Sequence, residues 1–257
     1  MEAIGYINTR SVLRLVVSAK LSPAQDLAGA DFLKVFLNVA LCHYTAWTTA
    51  NVRHRDINLA NIMCSTDTQG EKAGILIDWD LATFDEDHHD GLERTGTVPY
   101  MAMVLLEEST EGSIEHSYWH DLEALFWVLV WVTYPAGTFA PWESGTFAQC
   151  RNGKSGYLSA GPSTTRPKEK FQGVELLVYR LKTFFSEIND KRTRHLNYAA
   201  FLKGTGWAVP TFQEEAPQEI WKAFCKLLHD VIPFMDLPDQ VVIGQVIKDF
   251  LVHADNF

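Results

Sequence analysis

An aspartate at position 56, an asparagine five places later and a second aspartate at position 78 are residue types that together could manage a hydroxyl nucleophile and a phosphorylated ligand. They lie in His54-Arg55-Asp56-Ile57-Asn58-Leu59-Ala60-Asn61 and at the end of the apolar run Gly74-Ile75-Leu76-Ile77, which delivers Asp78. A carboxylate can accept a hydrogen bond from an alcohol and aim it. An amide oxygen and a second carboxylate are hard donors that suit Mg²⁺ on ATP phosphates. Each residue alone would more often be a cap or a turn residue, so the argument rests on their joint placement.

That placement needs elements to create it. Phe32, Leu33, Phe36, Leu37, Ala40, Leu41, Tyr44 and Trp47 recur at three- and four-residue steps, which predicts a helix with one buried face that ends near Ala50-Asn51. Ser22-Pro23 offers a cap with a first-turn proline, and Asp31 a second helix start after Ala28-Gly29-Ala30. Ile62-Met63-Cys64 and Ile75-Leu76-Ile77 read as short strands joined by the polar turn of residues 65–74. Such a hairpin puts Asn61 before its first strand and Asp78 after its second, so that both emerge at one end. Residues 119–134 are apolar nearly all round and predict a helix buried on every side, the spine of the domain. Residues 143–173, rich in Gly, Ser, Thr, Pro and Lys, read as a surface loop or insertion, with helical patterns resuming at 174–189, 217–231 and 238–253. The fold class expected is mainly α with a short β-hairpin (α+β).

Composition narrows the function classes. The 257 residues are 47% hydrophobic, enough for a substantial core, and carry a formal net charge of −10. That acidity disfavours a general binder of nucleic acid or of anionic membrane, both of which need basic surface. Cys42, Cys64, Cys150 and Cys225 show no zinc or disulfide spacing, so an intracellular, reducing compartment (cytoplasmic or nuclear) is the expectation. The N-terminus lacks a basic region ahead of an apolar one, and the most apolar run, 122–134, is too short to cross a bilayer and contains Glu123. His88-His89 in the acidic stretch 85–90 lacks ligand spacing on a rigid element. Gly153-Lys154-Ser155 superficially matches a phosphate loop, but Ala148 stands where the first glycine is needed and no strand precedes it.

The segments His54 to Asn61, Ile77-Asp78-Trp79-Asp80, Thr95-Gly96-Thr97-Val98-Pro99-Tyr100-Met101-Ala102 and the helix from His120 to Trp131 resemble, in this order and spacing, the protein kinase superfamily and most closely its fungal-type branch. The resemblance covers residues 22–131 well, and the helices after 174 are compatible with it. It implies a kinase C-lobe using ATP and Mg²⁺ to phosphorylate Ser/Thr of a protein substrate. Asp56 would orient the substrate hydroxyl, and Asn61 and Asp78 would hold the metal and nucleotide. Arg55 would anchor negative charge, from a phosphorylated Thr95 or from residues 85–90, and Thr97 would bond near Asp56 and help seat the substrate. His54 would pack structurally beneath the loop, and Asp121 would hold backbone groups of that loop from the buried helix.

Several departures qualify the resemblance. Asn58 stands where Ser/Thr kinases present a lysine to the transferring phosphate, and it brings no charge. Asp80 replaces the glycine of the Asp-Phe-Gly hinge, and Met103-Val104 replaces a Pro-Glu pair that normally anchors the activation segment. Upstream of Asp56 the only glycines are Gly5 and Gly29 and the only glutamate is Glu2, although Val17-Ser18-Ala19-Lys20 mimics the pattern around the strand lysine. The expectation is therefore a C-lobe whose N-lobe is absent or severely truncated, weakly active or inactive alone, and prone to self-association through the uncovered face. Two alternatives stand beside it: a catalytically dead interaction module, and a small-molecule phosphotransferase of the aminoglycoside kinase type. The Thr95 to Ala102 segment speaks against the latter.

Overall fold

The computed structural model describes residues 20–84, 96–107, 116–161, 164–236, 244–245 and 247–248. Val17 to Ala19, Thr95, residues 85–90 and most of the helix expected at 238–253 lie outside the described residues. The chain is mainly helical with a small sheet. No helix among the described residues is long and apolar enough to cross a membrane.

Helix α1, Gly29–Ala50, buries the predicted face and stops at Asn51, whose left-handed backbone (φ 50°) turns the chain out of the helix. It begins two residues before Asp31. Ala28 is its N-cap, and Asp31 instead pairs with Lys72 at 2.9 Å. The expected helix start at Ser22-Pro23 is also corrected: these residues form strand β1, paired to Cys64 and Met63, and only one 3-10 turn, Ala24–Asp26, follows.

Strand β2, Val52–Arg53, leads into the loop at His54, and β5, Thr83–Phe84, returns antiparallel beside it. The hairpin is longer than predicted, with β3 at Ile62–Thr66 and β4 at Lys72–Leu76. Asp67 extends it by accepting bonds from the amides of Gln69 and Glu71 across the turn, both at 2.8 Å. The sheet lies against α1 so closely that a Cβ on Gly74 would sit 2.3 Å from the Val35 carbonyl oxygen. Only glycine fits there.

Helix α2, Tyr118–Thr133, is buried along almost its whole surface, as its sequence predicts. The long helix α5, Glu175–Thr205, packs Phe185 on Phe126 of α2 at 5.1 Å, and α6, Pro217–Val231, stacks Trp221 on Tyr44 of α1 at 4.5 Å.

The region expected to be a surface loop or insertion, residues 143–173, carries helical elements among its described residues. It holds the end of α3, Ala140–Ser144, then α4, Phe147–Ser159, and a 3-10 turn at Glu169–Phe171. Thr146 and Gln149 form a reciprocal cap that starts α4. Its buried positions are Cys150, Lys154 and Leu158, a proper four-residue period in which the central member is a lysine. A charged residue in the middle of the stripe hides the period from any hydrophobicity pattern. Gly153 is required where α4 crosses α3, because a Cβ there would meet the Trp142 indole nitrogen at 2.3 Å.

Candidate functional site

Backbone strain marks the site. Among the described non-glycine residues only Asn51, Arg55 and Asp78 have left-handed backbones; Arg55 (φ 68°) immediately precedes Asp56, and Asp78 (φ 61°) is itself one of the chemistry-bearing residues. Conformations of this kind cost on the order of 1 kcal/mol or more each and persist where surrounding bonds impose them.

Those bonds come from His54 and Asp121. The His54 ring is fully buried, accepts from the Asp56 amide at Nδ1 (3.3 Å) and donates from Nε2 to the Ile77 carbonyl (3.0 Å). One acceptor and one donor nitrogen define a neutral imidazole. Burial, the largest influence, lowers the His54 pKa and keeps it neutral, although Asp121 opposes the shift. One ring thus ties the residue that carries Asp56 to the peptide that carries Asp78. Trp79 packs on that ring at 4.6 Å and donates to the Leu76 carbonyl at 3.0 Å.

Asp121, on the first turn of α2, accepts at Oδ2 from the amides of His54 (3.1 Å) and Arg55 (3.4 Å). The same oxygen bonds His43 Nε2 at 3.0 Å, and Oδ1 bonds His116 Nε2 at 2.8 Å. Burial alone would raise the carboxyl pKa, but His116 and His43 overcome it and hold the group ionised well below the ordinary range. Sequence reasoning missed both histidines. The signal for His43 was a polar residue on the apolar face of α1, beside Tyr44 and between Ala40 and Trp47.

Asp56 itself is held asymmetrically. Its Oδ1 accepts from the amide (2.8 Å) and hydroxyl (2.9 Å) of Thr97, whereas Oδ2 meets only Asn61 Nδ2 at 3.4 Å. Asn61 also donates to the Asp56 carbonyl at 2.9 Å, which directs its own amide nitrogen at the loop. No described residue donates to Asn61 Oδ1. Ile77 donates to the Asn61 carbonyl at 3.0 Å, so the hairpin ladder sets Asp78 one residue past Asn61 on the opposite strand. Asp78 is solvent-exposed and its carboxylate has no hydrogen bond or ion pair among the described residues. Asp56 Oδ2, Asn61 Oδ1 and the Asp78 carboxylate are therefore hard oxygens without a described protein cation, a donor set that fits Mg²⁺.

Thr97 reaches Asp56 because Gly96 takes φ 126°, where a Cβ would press on the Arg55 carbonyl at 3.1 Å and on Met101 at 3.3 Å. Asn58 is placed differently from the expectation of a group facing phosphate. It is 6% exposed, its Nδ2 donates to Thr97 Oγ1 (3.1 Å) and to the Asp56 carbonyl (3.3 Å), and its Oδ1 accepts from the amides of Ala60 and Asn61. With both donors and both lone pairs engaged, Asn58 is a strut between the loop and Thr97. Asp80 has no left-handed backbone, so the chain turns there without glycine. The Arg55 amide is held by Asp121, while the negative charges proposed for its side chain lie outside the described residues.

No curated protein matches the chain. Residues 7–133 match a family model described as Fungal protein kinase, over a stretch that contains Asp56, Asn61, Asp78, Thr97 and Asp121. On that match, this part of the chain is similar to the fungal protein kinase family.

Proposed function

We propose that the site transfers phosphate from Mg·ATP to a Ser or Thr hydroxyl of a protein substrate. The observation that carries this reading is the asymmetry of Asp56: one oxygen is fixed by Thr97, and the other has one long contact and an unfilled accepting direction. That second oxygen accepts the hydrogen bond of an incoming hydroxyl and points its lone pair along a fixed line, a positioning role in phosphoryl transfer. Asn61 Oδ1 and the Asp78 carboxylate would hold magnesium, which offsets phosphate charge when bound. Thr97 keeps Asp56 from rotating, and Asn58 keeps Thr97 in place. The neutral His54 and the ionised Asp121 fix the loop from beneath and take no proton in the reaction.

Transfer by these 257 residues alone is expected to be weak, because their sequence shows no glycine-rich loop and no lysine–glutamate pair ahead of Asp56. A second reading, a module that binds partners without transferring phosphate, is favoured by the full engagement of Asn58, whose amide donors are both used within the protein and do not face a phosphate. Labelled ATP with a Ser/Thr peptide library separates the two. Transfer that falls about 100-fold or more in Asp56→Asn supports the first. Transfer indifferent to Asp56 overturns it, and none at any enzyme concentration favours the second.

A further inference from the structure

Beyond the Thr97 amide, which Asp56 holds, the segment that carries Thr97 is held at three further backbone positions by residues that the proposed chemistry does not use. From α4, Cys150 Sγ contacts the Val98 carbonyl at 3.6 Å and the fully buried Lys154 donates to the Met101 carbonyl. From α2, the fully buried Glu123 accepts from the Met103 amide at 3.0 Å. The two buried charges are joined through an aromatic ring. Lys154 Nζ lies 4.7 Å from the centre of Trp127, and the same indole donates from Nε1 to Glu123 Oε1 at 2.9 Å. A tryptophan face attracts a cation and its N–H satisfies an anion, so Trp127 mediates between charges that do not touch. Asn189 of α5 occupies the second carboxylate oxygen at 3.3 Å.

An uncompensated charge in the interior is costly, and one facing backbone it can bond is bound to that backbone firmly. Burial, the largest influence on each, drives Lys154 down to about 8 and raises Glu123, so both groups gain from every polar contact they keep. The backbone contacts they have are the carbonyl of Met101 and the amide of Met103. Met103 is itself the first of the Met103-Val104 pair that stands instead of an anchoring Pro-Glu pair, and Met101 lies two places before it. A neighbouring hold acts in the same sense: Arg151 of α4 and Arg192 of α5 both pair with Glu107, at 3.2 and 2.8 Å.

We propose that Lys154, acting through Trp127 and Glu123, is a positioning residue that holds the backbone of residues 98–103 so that Thr97 meets Asp56. The assignment of what is being positioned rests on the phosphotransfer reading above; the clamp itself does not. Hydrogen exchange of the 257-residue chain, followed by mass spectrometry, tests it. Lys154→Met keeps the volume and removes the donor. It should speed exchange in a peptide spanning 97–106 by about tenfold while leaving α2 peptides unchanged. Glu123→Gln retains an acceptor for Met103 and Trp127 but leaves the Lys154 charge without its anion, and should speed the 97–106 peptide less than Lys154→Met does; acceleration beyond that of Lys154→Met would count against Lys154 as the holding residue. Unchanged 97–106 exchange in Lys154→Met, or equal acceleration in α2, overturns the proposal. Should Lys154→Met fail to fold, the double variant Lys154→Met/Glu123→Gln leaves no buried charge unpaired and is judged by the same two peptides. In a transfer assay the single variant should lower kcat about tenfold with the KM for ATP nearly constant, because the Thr97 hold on Asp56 is loosened and nucleotide contacts are not. Absence of transfer by the wild-type chain would count against the phosphotransfer reading alone, since the exchange result is obtained without substrate.

Discussion

Replacing Asp121 by asparagine removes one charge and adds two N–H groups in a fully enclosed place. Four donors converge on the carboxylate: the amides of His54 and Arg55 and the Nε2 atoms of His43 and His116. An asparagine side chain offers one acceptor oxygen. Whichever way it turns, its nitrogen confronts either the histidine on one side or the histidine and two amides on the other. Removing one partner from a buried charged network costs about 3–5 kcal/mol. For a chain of this size, at about 2–4 °C per kcal/mol, Tm should fall by roughly 10 °C. Chemical denaturation at pH 7 measures the free energy directly, and the 54–61 loop should show the largest loss of exchange protection. The pH dependence gives an independent check. Asp121 has a folded pKa well below its unfolded value near 3.8, so its stabilisation is complete above that value and is lost as pH falls toward the folded pKa. The gap between wild type and Asp121→Asn should therefore be constant from pH 7 to 5 and shrink below about 4. A loss under about 1 kcal/mol, or a gap that stays constant to pH 2.5, would refute the network as described.

Other substitutions isolate other links. Thr97→Val should cost about 1 kcal/mol, because the buried Asn58 loses an acceptor, and lower kcat/KM for peptide about tenfold or more, read by steady-state kinetics, because Asp56 loses a hydroxyl donor. Gly96→Ala forces a Cβ against the Arg55 carbonyl and should reproduce that kinetic defect, measured in the same assay. Gly74→Ala pushes the hairpin off α1 and should cost about 3 kcal/mol in urea denaturation, with no kinetic effect in the fraction that remains folded. Lys154 releases its proton at about 8 when folded and 10.5 when unfolded, so its contribution to stability rises with pH across that window. Stability of wild type relative to Lys154→Met should climb from pH 8 to 10.5, and a flat difference would count against burial of the charge.

The parts legible in the sequence were those whose physics is local or periodic. The period of α1 and the unbroken apolarity of α2 located two helices to within a few residues, and Asn51 marked the end of the first. The hairpin followed from two apolar runs, so the approach of Asn61 to Ile77 could be expected before any coordinates. What stayed hidden depends on partners distant in sequence. The period of α4 could not be read because its central inward residue is a lysine, stabilised by a carbonyl 53 positions away. Asn58 stands at a position where a phosphate-facing group is expected, and nothing in the sequence shows that Thr97, 39 positions on, consumes its donor. The two histidines around Asp121 come from α1 and from just ahead of α2, and no local pattern links them.

The claim beneath all of these is that Asp56, Asn61 and Asp78 present their oxygens to a single metal–nucleotide complex. Titrating Mn²⁺ with ATP into isotopically labelled protein tests it by paramagnetic broadening. The account predicts selective loss of the amide signals of Asp56, Asn61, Ile77 and Asp78, abolished in Asp78→Asn, with α6 signals intact. Broadening centred elsewhere, or none at these four amides at millimolar metal and nucleotide, would contradict it.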